Sequence, residues 1–214
     1  GKSTVARLLA ERGATVLSSD EIARAMMQPG PPVFAQIVER FGPEILQPDG
    51  TLNRSALARL AFDPEHPRVD ELNAIVHPAV IAEQAVRLAE LGRAQPDAIV
   101  VIESALIFTV RHAPGGNWSE RFDCIVVVSA PEDAKIARFI DRVREDRVLS
   151  LEERATLESD ARARIAQQRL PSSERSATGP LTFALPNHGT ILDLQSQVDI
   201  LWSRLLALRS ARSV

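Results

Sequence analysis

Two apolar runs near the middle of the chain, "DAIVVIES" and "FDCIVVVSA", limit the folds that it can adopt. Both runs are rich in β-branched residues, and neither alternates apolar with polar side chains. Such a continuous apolar pattern is typical of a strand that is buried on both faces, as in a parallel sheet covered by helices. We therefore predict an α/β fold with a doubly wound parallel sheet.

Helical segments alternate with these strands. "KSTVARLLAERG" has apolar residues at helical spacing and ends at Gly13, before the short strand "ATVLSS". "PEDAKIARFIDRV" opens a helix with Pro131, and "LTFAL" is a further strand that precedes the amphipathic segment "ILDLQSQVDILWSRLLAL". Residues 29–92 read almost entirely as helix. Because this is too long for an ordinary crossover, we predict a helical lobe inserted into the sheet domain.

Bulk properties exclude several classes of protein. With 214 residues, of which 45% are hydrophobic and 25% charged, the chain suits one domain or one domain with an inserted lobe. A net charge of −3 gives no overall attraction to nucleic acid or to an anionic membrane. The single cysteine, Cys124, excludes an internal disulfide, and no run approaches the roughly 20 apolar residues of a membrane span. We expect a cytoplasmic protein, and no pattern indicates its oligomeric state.

The first four residues, Gly1 to Thr4, read "GKST" and match the end of the phosphate-binding loop GxxxxGK[ST]. In that loop, backbone N–H groups at a helix N-terminus hold phosphate, the lysine neutralises it and the hydroxyl binds Mg²⁺. Lys2 would then contact the β- and γ-phosphates of a nucleotide, Ser3 would bind Mg²⁺, and Thr4 would support the start of the helix. A tetrapeptide also arises by chance, but its place before an amphipathic helix favours the phosphate loop.

Two carboxylates stand at strand ends. Asp20 follows "ATVLSS" and Glu103 lies near the end of "DAIVVIES", and ligands of parallel α/β sheets collect at the carboxyl ends of the strands. Asp20 is either a reactive carboxylate or the N-cap of the helix that begins with "EIARAMM". Glu103 either holds Mg²⁺ through water or is an ordinary strand-end charge.

Longer stretches, in order, resemble dephospho-CoA kinase, a P-loop kinase family, over nearly the whole chain. They are "SSDEIARAMMQPG", "FGPEILQPDGTLNRSALARLAF", "LNAIVHPAV" and "RARIAQQ". The resemblance implies a single P-loop kinase-like domain over 1–214: a core of 1–28, 93–141 and 182–214, a helical CoA-binding lobe at about 29–92 and a helical lid at about 142–170. It also implies ATP-dependent phosphorylation of the ribose 3′-hydroxyl of dephospho-CoA, the last step of CoA synthesis, with ATP and Mg²⁺.

The resemblance assigns roles on the acceptor side. The family's catalytic aspartate falls on Asp20, which would accept or orient the hydroxyl proton, while the first acid of the family's turn is replaced by Ser18. Arg54 would contact an anionic group of the substrate, although it also reads as a solvated helix residue. His77 precedes Pro78, so it either contacts substrate or organises a helix break.

The resemblance also places the family's lid arginines near Arg138 and Arg142, and a further Arg and Gln at Arg164 and Gln168. From the residues alone, so many arginines are typical of a solvated helix face with acidic partners. As lid residues they would place cations over the transferring phosphoryl group. Arg142 is the strongest candidate for that role. Asn187 would lie near adenine, although turn chemistry also explains an asparagine in "PNHG".

Two alternatives stay open: another P-loop small-molecule kinase, or a non-catalytic homologue that binds a nucleotide or a partner. Ser18 and Thr109, which replace acids of the family, favour the second alternative. Lys2, Asp20 and Arg142 are retained and favour activity.

The beginning of the chain carries an expectation of its own. No methionine precedes Gly1, and the first half of the loop pattern is absent. We expect the reading frame to continue upstream as an apolar strand that ends in a glycine-rich loop, and thus expect the first strand of the fold to be missing from this chain. Without those residues we expect marginal folding and weak MgATP binding, because they supply N–H donors and a central strand.

Overall fold

A computed structural model of the chain describes residues 1–63, 65–105, 121–144, 147–167 and 180–212. Over these ranges helices and strands alternate as the hydrophobic patterns predict, and the predicted α/β class is confirmed. In chain order the elements are α1 (Lys2–Ala10), β1 (Thr15–Ser18), α2 (Ser19–Met26), α3 (Pro32–Phe41), a 3₁₀ turn (Pro43–Ile45), α4 (Arg54–Ala61), α5 (Val69–Ala94), β2 (Val100–Glu103), β3 (Cys124–Ser129), α6 (Glu132–Arg144), α7 (Leu151–Gln167), β4 (Leu181–Pro186) and α8 (Ile191–Arg212).

The strands pair in parallel, as the apolar runs around β2 and β3 predict. β1 pairs with β2 in a register that sets Ser18 opposite Glu103. β3 pairs with β4 in a register that sets Ser129 opposite Pro186. Where the sequence predicts one sheet, the strands of the described residues form two sheets of two strands each. In each sheet the two carboxyl ends meet at one edge.

The chain divides into two compact units. The second unit spans Thr15–Ser104 and contains the β1–β2 sheet and helices α2 to α5. Its core joins α2 to the helices that follow, through buried apolar side chains of Ile22, Val33, Ile37, Phe41, Ile45, Leu52, Leu57, Val76 and Val80. The long helical section that the sequence predicts therefore shares its core with α2.

The first unit is built from distant parts of the sequence: Gly1–Ala14, Ala105 and the described residues from 121 onward. Helix α1 packs against α8. Between them, Nη2 of Arg12 lies 2.6 Å from Oδ1 of Asp199. Helices α6 and α7 share a small cluster of buried apolar side chains. No helix of the described residues combines the length and the hydropathy that a membrane span requires.

Local sequence explains where several helices begin and end. Ser150 and Glu153 cap α7 reciprocally, since Glu153 N donates to Ser150 Oγ at 3.1 Å and Ser150 N donates to a Glu153 carboxylate oxygen at 2.8 Å. Thr190 and Asp193 do the same for α8. Hydrogen bonds from Thr190 hold the pKa of the Asp193 carboxyl below its usual range.

Gly13 ends the turn that follows α1, as the sequence predicts. Its N–H donates to Ala10 O at 2.9 Å, and Ala14 N donates to Leu9 O at 3.1 Å. This pair of bonds is a Schellman motif, which needs a residue of positive φ at its centre. Gly13 has a φ of +107°.

Candidate active site

The "GKST" residues form the start of α1. Gly1 O accepts a hydrogen bond from Val5 N at 3.0 Å, so Lys2, Ser3 and Thr4 make the first helical turn. N–H groups of a first turn have no carbonyl partner within their helix and carry partial positive charge. Lys2 is half-buried and Ser3 is exposed. The lysine and the hydroxyl predicted to hold phosphate and Mg²⁺ therefore stand at a helix N-terminus.

Gly1 lies directly against Asn187. A Cβ atom built on Gly1 would lie 2.4 Å from Nδ2 of Asn187 and 3.3 Å from Cγ1 of Val128, so a larger residue would require movement. Asn187 is 7% exposed, and its backbone N–H donates to Ser129 O at 2.7 Å. Its Oδ1 accepts from Nη2 of Arg138 at 3.4 Å. The fold thus brings together three predicted nucleotide-binding residues from distant parts of the chain: Gly1, Arg138 and Asn187.

Asp20 is the second residue of α2, and it is exposed. The helix is capped by Ser18, whose Oγ accepts a hydrogen bond from Glu21 N at 3.3 Å. The alternative that Asp20 is the N-cap is therefore wrong, because the cap is the residue that precedes the first turn. Among the described residues the Asp20 carboxylate has no hydrogen-bond or ion-pair partner. It is free to accept a proton from a ligand.

Glu103 lies at the same edge of its sheet as the start of α2. Ser18 and Glu103 are directly opposite each other at the carboxyl ends of β1 and β2. The Glu103 side chain is half-buried. In the part of the chain that is described, no three or more acidic, histidine or cysteine side chains form a metal cluster. A Mg²⁺ ion bound with a nucleotide needs only one or two protein ligands, because phosphates and water supply the rest.

Arg54 begins α4, directly after Asn53, whose Oδ1 caps the helix by accepting from Ala56 N at 3.0 Å. Its exposed guanidinium has neither an acidic nor a hydrogen-bonding partner within the described ranges. It lines a cavity of 410 Å³ whose other walls are mostly polar: Gln28, Gln47, Thr51, Leu52, Asn53 and Ser55. A polar cavity with one unpaired cation suits a ligand that carries an anionic group.

His77 is half-buried on α5, and burial lowers the pKa of its imidazole, which favours the neutral form. Helix α5 continues through Pro78 to Ala94, so the alternative that His77 and Pro78 mark a helix break is wrong. Proline removes one hydrogen bond from a helix. The buried residues Val76 and Val80 pack α5 on the core of its unit, which stabilises the helix on both sides of the proline.

Arg138 and Arg142 lie one turn apart on α6. Other arginines of this region pair with acidic side chains: Arg144 with Asp141, Arg154 with Glu158, and Arg162 with Glu132. Those three fit the solvated helix face. Arg142 is exposed and has no such partner among the residues that the structure describes. An unpaired cation is available for an anionic ligand.

A family model for dephospho-CoA kinase (CoaE) matches residues 1–191. This chain belongs to the dephospho-CoA kinase family. The dephospho-CoA kinase of Moorella thermoacetica is 40% identical over 177 residues, which cover 80% of this chain and 78% of that protein. The dephospho-CoA kinase of Frankia casuarinae is 34% identical over 213 residues, which cover 100% of this chain and 82% of that protein.

Two solved structures share the fold of this chain. A crystal structure of TT1252 from Thermus thermophilus matches with a TM-score of 0.62 and 30% identity, covering 96% of this chain and 92% of that one. Dephospho-CoA kinase from Campylobacter jejuni matches with a TM-score of 0.57 and the same coverage. At 16% identity, the second match supports the fold alone. The predicted P-loop kinase fold and phosphotransferase class are confirmed.

The roles assigned to the site residues of this dephospho-CoA kinase family member stay predictions, and three of these residues cannot be placed in full. Gln168 and Thr109 lie outside the described residues. Arg164 lies on α7, but its side chain is not described.

The sequence-based predictions missed one buried residue near the site, Gln84. Its side chain is 3% exposed, and its Nε2 donates to Ser19 Oγ at 2.9 Å. Gln84 follows Val76 and Val80 at intervals of four on α5. A glutamine that continues a stripe of valines is the signal that could have identified it.

Proposed function

We propose that the chain transfers the γ-phosphoryl group of ATP to the ribose 3′-hydroxyl of dephospho-CoA, the last step of CoA synthesis. The observation that carries the proposal is the family match over residues 1–191. The 3′-oxygen forms a bond to the γ-phosphorus, the bond to the β,γ-bridging oxygen breaks, ADP leaves and the hydroxyl proton passes to a base. This match does not favour another small-molecule kinase or a non-catalytic homologue.

On the donor side, we propose that Lys2 and the first turn of α1 hold the β- and γ-phosphates of ATP. The contact between Gly1 and Asn187 supports a nucleotide site beside this turn, with Asn187 and Arg138 as further contacts. Mg²⁺, when bound, would neutralise charge on the phosphates. Ser3 is the protein ligand we propose for it, and Glu103 would act only through water.

On the acceptor side, Asp20 aligns the 3′-hydroxyl and takes its proton late in the transfer. Its exposure and its lack of a partner in the described structure support this role. Arg142, also exposed and unpaired there, stabilises negative charge that develops on the transferring group.

We assign the rest of dephospho-CoA to the helical lobe, at about residues 29–92. The cavity beside Arg54 supports this assignment, because the substrate carries a pyrophosphate. His77 is a second contact in our proposal, and Arg164 and Gln168 act from a lid over about 142–170. The core of 1–28, 93–141 and 182–214, and a cytoplasmic location, belong to the same proposal.

The reaction is tested with a coupled assay for ADP release. We expect turnover with dephospho-CoA and little or none with nucleoside monophosphates or shikimate. A preference for one of those acceptors would contradict the proposal.

The role of Asp20 is tested with Asp20→Asn. We expect turnover to fall by about 10²–10⁴-fold, as for loss of a general base, while the affinity for ATP stays within a few-fold, because Asp20 acts on the acceptor. Glu21→Gln is the matched control: it neutralises the next exposed carboxylate of the same turn and should leave turnover near normal. Near-normal turnover of Asp20→Asn would remove Asp20 from the mechanism.

A further inference from the structure

Gln84 is an unusual residue for its place in α5. The positions that precede it on the same face, Val76 and Val80, are buried apolar residues that pack in the core of their unit. Gln84 is equally buried, at 3% exposure. A buried amide costs free energy unless its polar atoms are hydrogen-bonded. An apolar residue would fit this stripe better, so stability alone does not explain the glutamine.

One hydrogen bond of Gln84 reaches the first turn of α2. Its Nε2 donates to Ser19 Oγ at 2.9 Å, across 65 positions of sequence. Ser19 is the first residue of α2 and lies between the cap, Ser18, and Asp20. The bond therefore ties α5 to the residue next to the carboxylate that we assign to the acceptor hydroxyl.

We propose that Gln84 is a positioning residue for Asp20. This inference rests on the proposed function, in which Asp20 aligns the 3′-hydroxyl. Ser18 caps α2 by accepting a hydrogen bond from Glu21 N. Gln84 holds the same turn through its hydrogen bond to Ser19. A small displacement of an aligning group lowers the rate of transfer far more than substrate affinity. The burial of Gln84 keeps water from competing for the bond.

The test compares Gln84→Leu, which keeps the volume and removes the polar atoms of the side chain, with Ser19→Ala, which removes the bond to Gln84 from the other side. We expect each to lower kcat by about 5- to 50-fold, on the scale of a misplaced group, with KM for ATP within about two-fold. The kcat of the double variant should be no lower than that of the less active single variant. Val80→Ala is the control for lost packing on the same face of α5, and it should lower the melting temperature without this decrease in kcat.

A second measurement separates positioning from general structural support. In an Asp20→Asn background, Gln84→Leu should lower single-turnover rates by less than two-fold, because its effect passes through the carboxylate. The same fold-decrease in both backgrounds would overturn the proposal, as would normal kcat in folded Gln84→Leu or Ser19→Ala. If Gln84→Leu does not fold, Ser19→Ala decides alone. Normal turnover of Asp20→Asn would contradict the role proposed for Asp20 itself. Reduced turnover of Asp20→Asn with normal kcat of Ser19→Ala would contradict only the positioning role of Gln84.

Discussion

Arg142 and Arg144 are close neighbours on α6 that differ in their partners. Arg144 Nε lies 3.0 Å from Asp141 Oδ1, whereas Arg142 has no acidic or hydrogen-bonding partner among the described residues. We expect Arg142→Ala to lower kcat by about 10²- to 10³-fold, as for loss of one group that stabilises developing charge. The affinity for dephospho-CoA should change less, because this charge develops only in the transition state. Steady-state kinetics with varied dephospho-CoA measures both quantities.

Arg144→Ala is the matched control on the same helix. Exposed ion pairs contribute little, so this variant should keep nearly normal kcat. If Arg142→Ala only raises KM, or if the two variants behave alike, Arg142 is a binding or surface residue and the lid arginine must be sought elsewhere.

At the scale of the element, the end of α1 depends on Gly13. Its φ of +107° is unfavourable for any side chain, while the nearest atom to a Cβ there, on Trp202, is at an ordinary contact distance of 3.9 Å. Gly13→Ala should therefore destabilise the chain by about 1–3 kcal/mol through backbone strain. Chemical denaturation, followed by circular dichroism, measures the change in the free energy of unfolding.

Gly92 provides the opposite case. It lies within α5, has no positive φ, and a Cβ there would meet nothing within 4 Å. Gly92→Ala should stabilise the chain by about 0.5–1 kcal/mol, because alanine loses less backbone entropy in a helix. Equal effects of the two substitutions would show that φ at Gly13 does not control its contribution.

At the scale of the whole molecule, stability should depend on pH through His77. Burial lowers the pKa of the folded imidazole below its ordinary value of 6.5. Above pH 6.5 both folded and unfolded chains hold a neutral imidazole, and the full stability is present. As the pH falls, the unfolded chain binds the proton first, so stability decreases until the pH passes the folded pKa. Below that pKa, this residue causes no further loss.

Melting temperatures of the wild type and of His77→Gln between pH 7.5 and 5.5 check this expectation. The wild type should lose stability on acidification, and the variant should lose less. Equal slopes would mean that His77 is solvated in the folded chain.

Much of the fold could be predicted because its signals are local. β2 and β3 lie within the apolar runs "DAIVVIES" and "FDCIVVVSA", at nearly the predicted positions. The turn that follows α1 ends at Gly13, as expected. Pairing depends on distant residues, so the division of the strands into two sheets could not be predicted from periodicity. The helix break considered at Pro78 was also wrong, because packing on both sides of the proline outweighs its unfavourable helix propensity.

The same distinction applies to the candidate site. Lys2 and Asp20 could be proposed as site residues from the sequence because their motifs are contiguous. The contact of Gly1 with Asn187 joins opposite ends of the sequence, and the hydrogen bond from Gln84 to Ser19 spans 65 positions. Such contacts arise only when the chain has folded. Ser18, first considered only as the replacement of an acid, proved to be the helix cap.

The pairing of α1 with α8 affects the order in which a ribosome can complete the two units. Arg12 and Asp199, which join these helices, are 187 positions apart. At typical elongation rates, α8 follows α1 by roughly 10–40 s. The described part of the second unit, Thr15–Ser104, is contiguous and emerges during that interval. The nascent chain can thus form the second unit early, whereas α1 meets its partner helix only after α8 has left the exit tunnel.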